Sequence, residues 1–78
     1  MRFSDAVRER IRDICAQYDL TLFALCQISD VPEATLRQFM RGYYHDIRLS
    51  TIYRICGGIG ISVHEFFNSE LFDQISGL

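Results

Sequence analysis

The feature that most constrains this chain is a short break between two helical segments, at 30–32 within the stretch 21–42. Pro32 lacks an amide hydrogen and cannot continue a helix, but it suits the first position of a new one. Asp30 is one of the few residues other than glycine that tolerates left-handed backbone geometry. A break this short makes the two helices cross steeply, at roughly 90–120°. The stretch therefore predicts a helix-turn-helix whose second helix covers 32–41.

Polar residues that favour helix ends indicate where the other helices begin and stop. Ser4 and Thr21 precede the first two apolar segments and predict an N-cap for each helix. Ser50 predicts the N-cap of a fourth helix, and Ser62 opens a fifth with the capping-box sequence SVHE. Gly42 is expected to end the third helix, because glycine adopts left-handed geometry at low cost.

Apolar residues recur three and four positions apart along most of the chain, which is the period of amphipathic helices. No segment shows the alternation of a strand, so we expect an all-α fold. A chain of 78 residues has room for one domain. We assign 1–67 to a helix-turn-helix domain and 68–78 to a C-terminal tail. The inward-facing residues predict a single core made of Val7, Ile11, Ile14, Leu22, Leu25, Cys26, Val31, Leu36, Phe39, Ile52, Ile55, Ile59, Ile61 and Phe66.

Charge is unevenly distributed along the chain. All eight basic residues are arginine, and the formal net charge of −2 argues mildly against a nucleic-acid partner. The segment 32–56, however, carries four arginines against two acidic residues. Local fields matter more for binding than the total charge. The second helix of the motif and the loop after it therefore form the candidate binding surface.

Residues for catalysis, metal binding or cofactor binding form no recognisable pattern. The sequence has no nucleophile beside a base, no paired carboxylates and no glycine-rich phosphate loop after a strand. Cys15, Cys26 and Cys56 lack metal-site spacing and lie on apolar stripes, so we interpret them as small buried hydrophobes. We expect no enzymatic activity, no metal and no cofactor. With no membrane span and no signal-peptide core, a cytoplasmic location is expected.

Short motifs in ungapped register give the chain a resemblance to a known family. It resembles the lambda repressor and Cro family, the XRE-type helix-turn-helix regulators of bacteria, from about Val7 to Phe67. The resemblance implies a compact five-helix lambda repressor-like domain with its helix-turn-helix at helices two and three, and a double-stranded DNA operator as partner. It depends on Leu25-Cys26, Ser29-Asp30-Val31, Thr35-Leu36, Gly42, Leu49-Ser50-Thr51-Ile52, Arg54-Ile55-Cys56, Gly60-Ile61-Ser62 and Glu65-Phe66-Phe67.

The resemblance also implies which residues contact DNA. In this family the second helix of the motif enters the major groove. By matching position, base edges would be contacted by Glu33, Ala34, Arg37 and Gln38. Phosphates would be contacted by Thr21, Thr35, Arg41, Tyr43, Tyr44 and Arg48. Glutamine pairs well with adenine and arginine with guanine or phosphate, although an ordinary solvated helix face would show the same residue types.

Two functions from different classes remain open. The first is sequence-specific binding of double-stranded DNA by a small transcriptional regulator, specifically a repressor; the face formed by Arg37, Gln38 and Arg41 supports it. The second is a protein-interaction module on the same fold, such as an antitoxin-like or anti-repressor partner; the acidic net charge and the absence of lysine support it. No small-molecule ligand domain is expected in either case.

The tail 68–78 carries a further apolar stripe. Beyond the last helix of the family, Leu71, Phe72 and Ile75 need a surface to cover them. One possibility is a homodimer with these three residues at its interface, because two-fold dimers suit DNA half-sites one turn, about 34 Å, apart. The other is that the tail folds back onto the first helix of its own chain. The sequence leaves both arrangements open.

Overall fold

A computed structural model describes residues 1–76, and all the regular secondary structure in that range is helical. A short 3₁₀ helix, Glu70–Asp73, follows the fifth α-helix. This confirms the all-α prediction of five helices. Their bounds are α1 Phe3–Gln17, α2 Leu22–Ser29, α3 Glu33–Met40, α4 Leu49–Ile59 and α5 Val63–Phe67.

The corner between α2 and α3 has the predicted geometry. Asp30 is left-handed, with φ 55° and ψ 45°, and Val31 donates its amide hydrogen to the Cys26 carbonyl at 3.0 Å. Pro32, predicted as the first residue of this helix, is instead its N-cap, so α3 begins one position later, at Glu33. Gly42 closes the other end of α3 with φ 87°, as expected of a helix-terminating glycine.

Two of the four predicted N-caps are confirmed, and two are wrong. The Thr21 and Ser62 hydroxyls accept hydrogen bonds from the amides three residues on, each at 3.0 Å. Ser4 is wrong because α1 begins earlier: the Asp5 carboxylate accepts from the Arg2 amide at 3.0 Å, which fixes Arg2 as N-cap. Ser50 is wrong because the extended residue before α4 is Arg48, two positions earlier.

α4 packs closely across α2, and a glycine permits that contact. A Cβ atom added at Gly58 would lie 2.6 Å from Ser29 Oγ and 2.8 Å from the Ile28 carbonyl oxygen, which is closer than real contacts allow. The neighbouring Gly57 has open space around it, with nothing within 4 Å of an added Cβ. Among the glycines of residues 1–76, only Gly58 is therefore required by close packing.

The core gathers side chains from all five helices. Eleven of the predicted core residues are buried, and Ala6 and Cys56 join them. Leu22, Ile59 and Ile61 are instead half-buried and packed against the core. Phe39 and Phe66 are the largest fully buried side chains, so α3 and α5 are both anchored by an aromatic ring.

The tail folds back onto the first helix of its own chain. The Phe72 ring lies 5.0 Å from the Phe67 ring and 6.0 Å from the Phe3 ring, measured between centroids. The Ser76 amide donates to the Met1 carbonyl at 3.0 Å. Leu71, Phe72 and Ile75 are half-buried in this arrangement, which is the second of the two considered for the tail. The homodimer and the boundary after residue 67 stay predictions, and residues 77–78 of the tail lie outside the described range.

Candidate nucleic-acid interface

α3 presents one buried face and one open face. Leu36 and Phe39 are 1% and 2% exposed, so they fix the helix against the core. On the opposite side, Ala34 and Gln38 are exposed to solvent. A helix of eight residues held from behind in this way has the size and exposure to enter a DNA groove. None of the predicted base-contacting residues is buried: Ala34 and Gln38 are exposed, and Glu33 and Arg37 are partly exposed.

Two of the predicted base-contacting residues bind each other. Arg37 Nη2 and Nε lie 2.6 and 3.1 Å from Glu33 Oε1. Their side chains are 40% and 36% exposed, so the ion pair stabilises the helix by only a few tenths of a kcal/mol. Its larger effect is on charge, because Glu33 neutralises the arginine nearest the middle of the open face. The spacing of four residues would have allowed this pair to be predicted from the sequence.

The end of α3 is held by a buried arginine of α1. Arg8 Nε donates to the Phe39 carbonyl at 2.7 Å, and Nη2 donates to the Tyr44 carbonyl at 2.6 Å. The same guanidinium lies 4.6 Å from the centroid of the Phe39 ring and contacts the Asp5 carboxylate at 3.2 Å. Arg8 therefore fixes both the last turn of α3 and the loop that follows it. Sequence analysis missed this role, although a charged residue between Val7 and Ile11 on the apolar stripe was a signal.

Arginines differ in whether they remain available to a partner. Besides Arg8, Arg10 is also used inside the chain, where it donates to the Phe66 carbonyl at 2.6 Å. Arg41 and Arg48 are exposed and form no side-chain hydrogen bond or ion pair with residues 1–76. Both lie within the segment 32–56, which carries the local positive charge. The structure therefore leaves two of the predicted phosphate-contacting arginines available to a partner.

An open groove of about 370 Å³ lies between the start of α3 and the start of α4. It brings together two predicted phosphate-contacting residues, Thr35 and Arg48, which are far apart in sequence. The first turn of α4 adds the Ser50 and Thr51 hydroxyls. The positive end of a helix dipole also favours an anion at this helix start. Arg54 completes the lining and donates to the Asp30 carbonyl at 3.1 Å. Ser50, Thr51 and Arg54 were not predicted as contacts; hydroxyl residues at a helix start were the available signal.

Four predicted phosphate-contacting residues do not line this groove. Thr21 is exposed at the start of α2, where its hydroxyl already accepts the capping hydrogen bond from Ala24. Tyr43 and Tyr44 follow Gly42 and are 69% and 51% exposed. Arg41 is the C-cap of α3, also exposed. These residues surround α3 rather than forming one site with the groove.

The cysteines offer no reactive or metal-binding site. Burial raises the pKa of Cys15, Cys26 and Cys56 above the usual value of a thiol, which keeps them protonated and unreactive at neutral pH. All three are free, and Cys26 and Cys56 are buried as predicted. No group of side chains within residues 1–76 has the arrangement of a metal site. None of the helices in that range is both long and apolar enough to span a membrane.

Comparison with known proteins places this geometry in a family. Residues 10–70 match the model of the Cro/C1-type HTH DNA-binding domain. The chain belongs to this family. The match covers α2, α3, α4 and α5, and confirms the resemblance to lambda repressor and Cro proteins. No curated protein and no solved structure matches the chain significantly.

Membership in the Cro/C1-type family assigns a general function to the chain. The chain is a DNA-binding protein of a regulator family, which is typically not enzymatic. Arg8 lies just outside the matched segment, yet it holds the end of the helix-turn-helix. The position of α3 in this Cro/C1-type domain therefore depends on a residue of α1 as well as on the motif itself.

Proposed function

We propose that this protein is a transcriptional repressor that binds a specific double-stranded DNA site with α3 in the major groove. The observation that carries the proposal is the solvent-open face of α3 in a Cro/C1-type domain, anchored from behind by Leu36, Phe39 and Arg8. A domain with extents of 32 × 25 × 21 Å on a promoter covers about one helical turn of DNA. Such coverage excludes other proteins from that site, which is how a repressor of this size acts.

Base-specific contacts with DNA are assigned to residues at the start and in the middle of α3. Gln38 is exposed and suits two hydrogen bonds to adenine, and the Ala34 methyl group suits contact with a thymine methyl. Glu33 and Arg37 enter the groove as a bonded pair. In that pair Glu33 would hold the Arg37 guanidinium in one rotamer, ready to bind a guanine.

Phosphate contacts are assigned to two places on either side of α3. The groove with Thr35, Arg48 and the first amides of α4 would hold one phosphate group. Arg41, Tyr43 and Tyr44 at the other end of α3 would contact the opposite strand, and Thr21 a neighbouring phosphate. Contacts to phosphates position the domain without reading sequence. We place this activity in the bacterial cytoplasm, where regulators of this kind meet DNA.

A second candidate is a protein-interaction module with weak or no DNA binding. The net charge of −2 and the neutralised Arg37 favour it. The two functions differ in how binding responds to salt. For a DNA-binding protein that neutralises several phosphates, the logarithm of the binding constant falls linearly with the logarithm of the salt concentration. A module without DNA contacts shows no DNA binding even at low salt.

The test is selection of bound sequences from a random double-stranded library, followed by titration of the enriched sequence. The proposal predicts enrichment of one motif and binding at least a thousandfold tighter than to scrambled DNA at the same salt. A library that remains random after repeated rounds, together with no shift of any DNA at low salt, would reject DNA reading. The interaction module would then be the better assignment.

A further inference from the structure

A second cavity, of about 340 Å³, lies between α3, the loop that follows it and the first turn of α4. We call this space the loop cavity. Its lining is mostly apolar and includes Leu36 and Phe39 of α3 and Ile47 of the loop. Small-molecule sites in proteins have volumes of roughly 300–1,000 Å³ and apolar walls with a few polar groups. The loop cavity lies at the lower end of that range, so it suits a small metabolite.

The walls of the loop cavity are held in place by a side chain of α1. Arg8 Nη2 donates to the Tyr44 carbonyl at 2.6 Å, and its Nε donates to the Phe39 carbonyl at 2.7 Å. One guanidinium thus ties the loop to α3, and both residues it holds line the cavity. Because the cavity is already formed, a ligand has little chain to order when it binds.

Two side chains of opposite charge lie at the edge of the loop cavity. Asp46 and Arg48 both line it, on either side of Ile47 in sequence, and both are exposed. Within residues 1–76 they form no ion pair with each other, and neither side chain has another ion pair or hydrogen bond. The carboxylate and the guanidinium are therefore both available to a ligand that carries the two complementary charges.

DNA binding gives no reason for the carboxylate or for the apolar wall. Asp46 lies on the same cavity as Arg48 and Thr35, which are assigned to phosphate contacts, and a carboxylate there repels a phosphate. The apolar wall offers no hydrogen bond to a phosphate either. A ligand with an ammonium group and an apolar body would use both features.

We infer that the loop cavity binds a free α-amino acid with an apolar side chain. The Arg48 guanidinium binds the α-carboxylate, for which its paired donors are well suited. The Asp46 carboxylate accepts hydrogen bonds from the α-ammonium group. The ligand side chain packs against Leu36, Phe39 and Ile47, where burial of apolar surface favours binding.

The loop cavity shares part of its lining with the groove assigned to a DNA phosphate. Thr35, Arg48 and Thr51 line both. Arg48 cannot hold the carboxylate of an amino acid and a DNA phosphate at the same time, so a bound amino acid should weaken DNA binding. This consequence rests on the proposed repressor function, whereas binding of the amino acid does not. Such control needs no separate ligand domain.

The first test is titration of the full chain, without DNA, with L-leucine and L-phenylalanine, followed by amide NMR spectra. Saturable shifts confined to α3, the loop and the start of α4 are expected, with a dissociation constant of about 0.1–1 mM for so small a ligand. No saturable shift with either amino acid, tenfold above that range, overturns the inference. Isocaproate lacks the amino group of leucine and isoamylamine lacks its carboxylate, so each should bind at least tenfold more weakly. Binding of either compound as tight as that of leucine rejects an amino-acid site.

Charge-removing variants test which groups hold the ligand. Asp46→Asn and Arg48→Gln should each weaken leucine binding at least tenfold in the same titration. Asp13→Asn and Arg41→Gln are the matched controls, because they remove the same charges at exposed positions outside the cavity. Weakening by the controls equal to that by the cavity variants would show non-specific attraction and reject the site.

DNA competition is measured separately, by fluorescence anisotropy with random double-stranded DNA at low salt. Saturating leucine should weaken DNA binding of the wild type severalfold and should have no effect on DNA binding of Asp46→Asn. Unchanged wild-type affinity would overturn the competition at Arg48. A chain that binds leucine but no DNA would reject the repressor while supporting the amino-acid site, so the two proposals fail independently.

Discussion

Gly58→Ala is the perturbation whose effect follows most directly from the structure. The added methyl group would lie 2.6 Å from Ser29 Oγ, 2.8 Å from the Ile28 carbonyl oxygen and 2.9 Å from Ser29 Cα. Two of these three atoms belong to the backbone of α2, so they cannot rotate away. Overpacking of this kind typically costs about 1–3 kcal/mol, and the upper end applies when backbone must move. Alanine returns about 1 kcal/mol through helix propensity, which leaves a net loss of about 2 kcal/mol.

Gly57→Ala is the matched control, because it makes the same chemical change one residue earlier without a collision. It should stabilise the monomer by about 1 kcal/mol. For a domain of this size 1 kcal/mol corresponds to about 4–8 °C, so the two melting temperatures should differ by at least about 12 °C. Thermal unfolding followed by circular dichroism measures both melting temperatures.

The collision itself can be tested through Ser29. Its hydroxyl is buried and has no hydrogen-bond partner within the described chain, so Ser29→Ala alone should be neutral or slightly stabilising. In the Gly58→Ala background it removes the 2.6 Å contact but leaves the two backbone contacts, so it should restore only part of the lost stability. Equal stability of the Gly57→Ala and Gly58→Ala variants would refute the close α2–α4 packing.

Three other variants, one of them with a matched control, separate the roles of charged residues. Arg8→Met should lower the free energy of unfolding in urea by about 2–4 kcal/mol, because it leaves the Phe39 and Tyr44 carbonyls without their donor. The control is Arg12→Met, at a half-exposed side chain, which should change the free energy of unfolding by less than about 1 kcal/mol. Glu33→Gln should tighten binding to random DNA and steepen its salt dependence in fluorescence anisotropy, because it frees the Arg37 charge; unchanged binding would show that the pair does not limit DNA contact. Arg41→Ala should weaken binding to all sequences alike and reduce the salt slope by about one unit, whereas a loss confined to the selected site would make it a base contact.

The helix-turn-helix could be predicted because its determinants are local. Asp30 and Pro32 restrict the backbone by their own covalent structure, and Gly42 ends the helix through its freedom at positive φ. The same locality explains the confirmed caps at Thr21 and Ser62. The period of the hydrophobic residues alone also predicted most of the core. The apolar face of a helix can be identified without knowing which helix packs against it.

The errors arose where two local signals competed or where the contact is distant in sequence. Ser4 and Ser50 are good cap residues, but the Asp5 carboxylate and the extended backbone at Arg48 start both helices earlier. Arg8 donates to carbonyls that are 31 and 36 residues away along the chain. Patterns over one or two helical turns therefore cannot show that these groups meet. The groove beside α3 likewise depends on how α4 packs against α2. Gly58 permits that packing, but the spacing of apolar residues in the sequence does not reveal it.

Reading of bases by α3 is the central proposal, and the specificity of Gln38→Ala tests it most directly. Gln38 is exposed and does not contribute to the core, so the variant should keep its melting temperature within a few degrees. Affinities of wild type and variant are measured on the selected sequence and on scrambled DNA at one salt concentration. The proposal predicts a loss of about 1–3 kcal/mol on the selected sequence alone, with relaxed preference at one base pair. An unchanged ratio between the two DNAs would contradict the assignment of α3 as the reading helix.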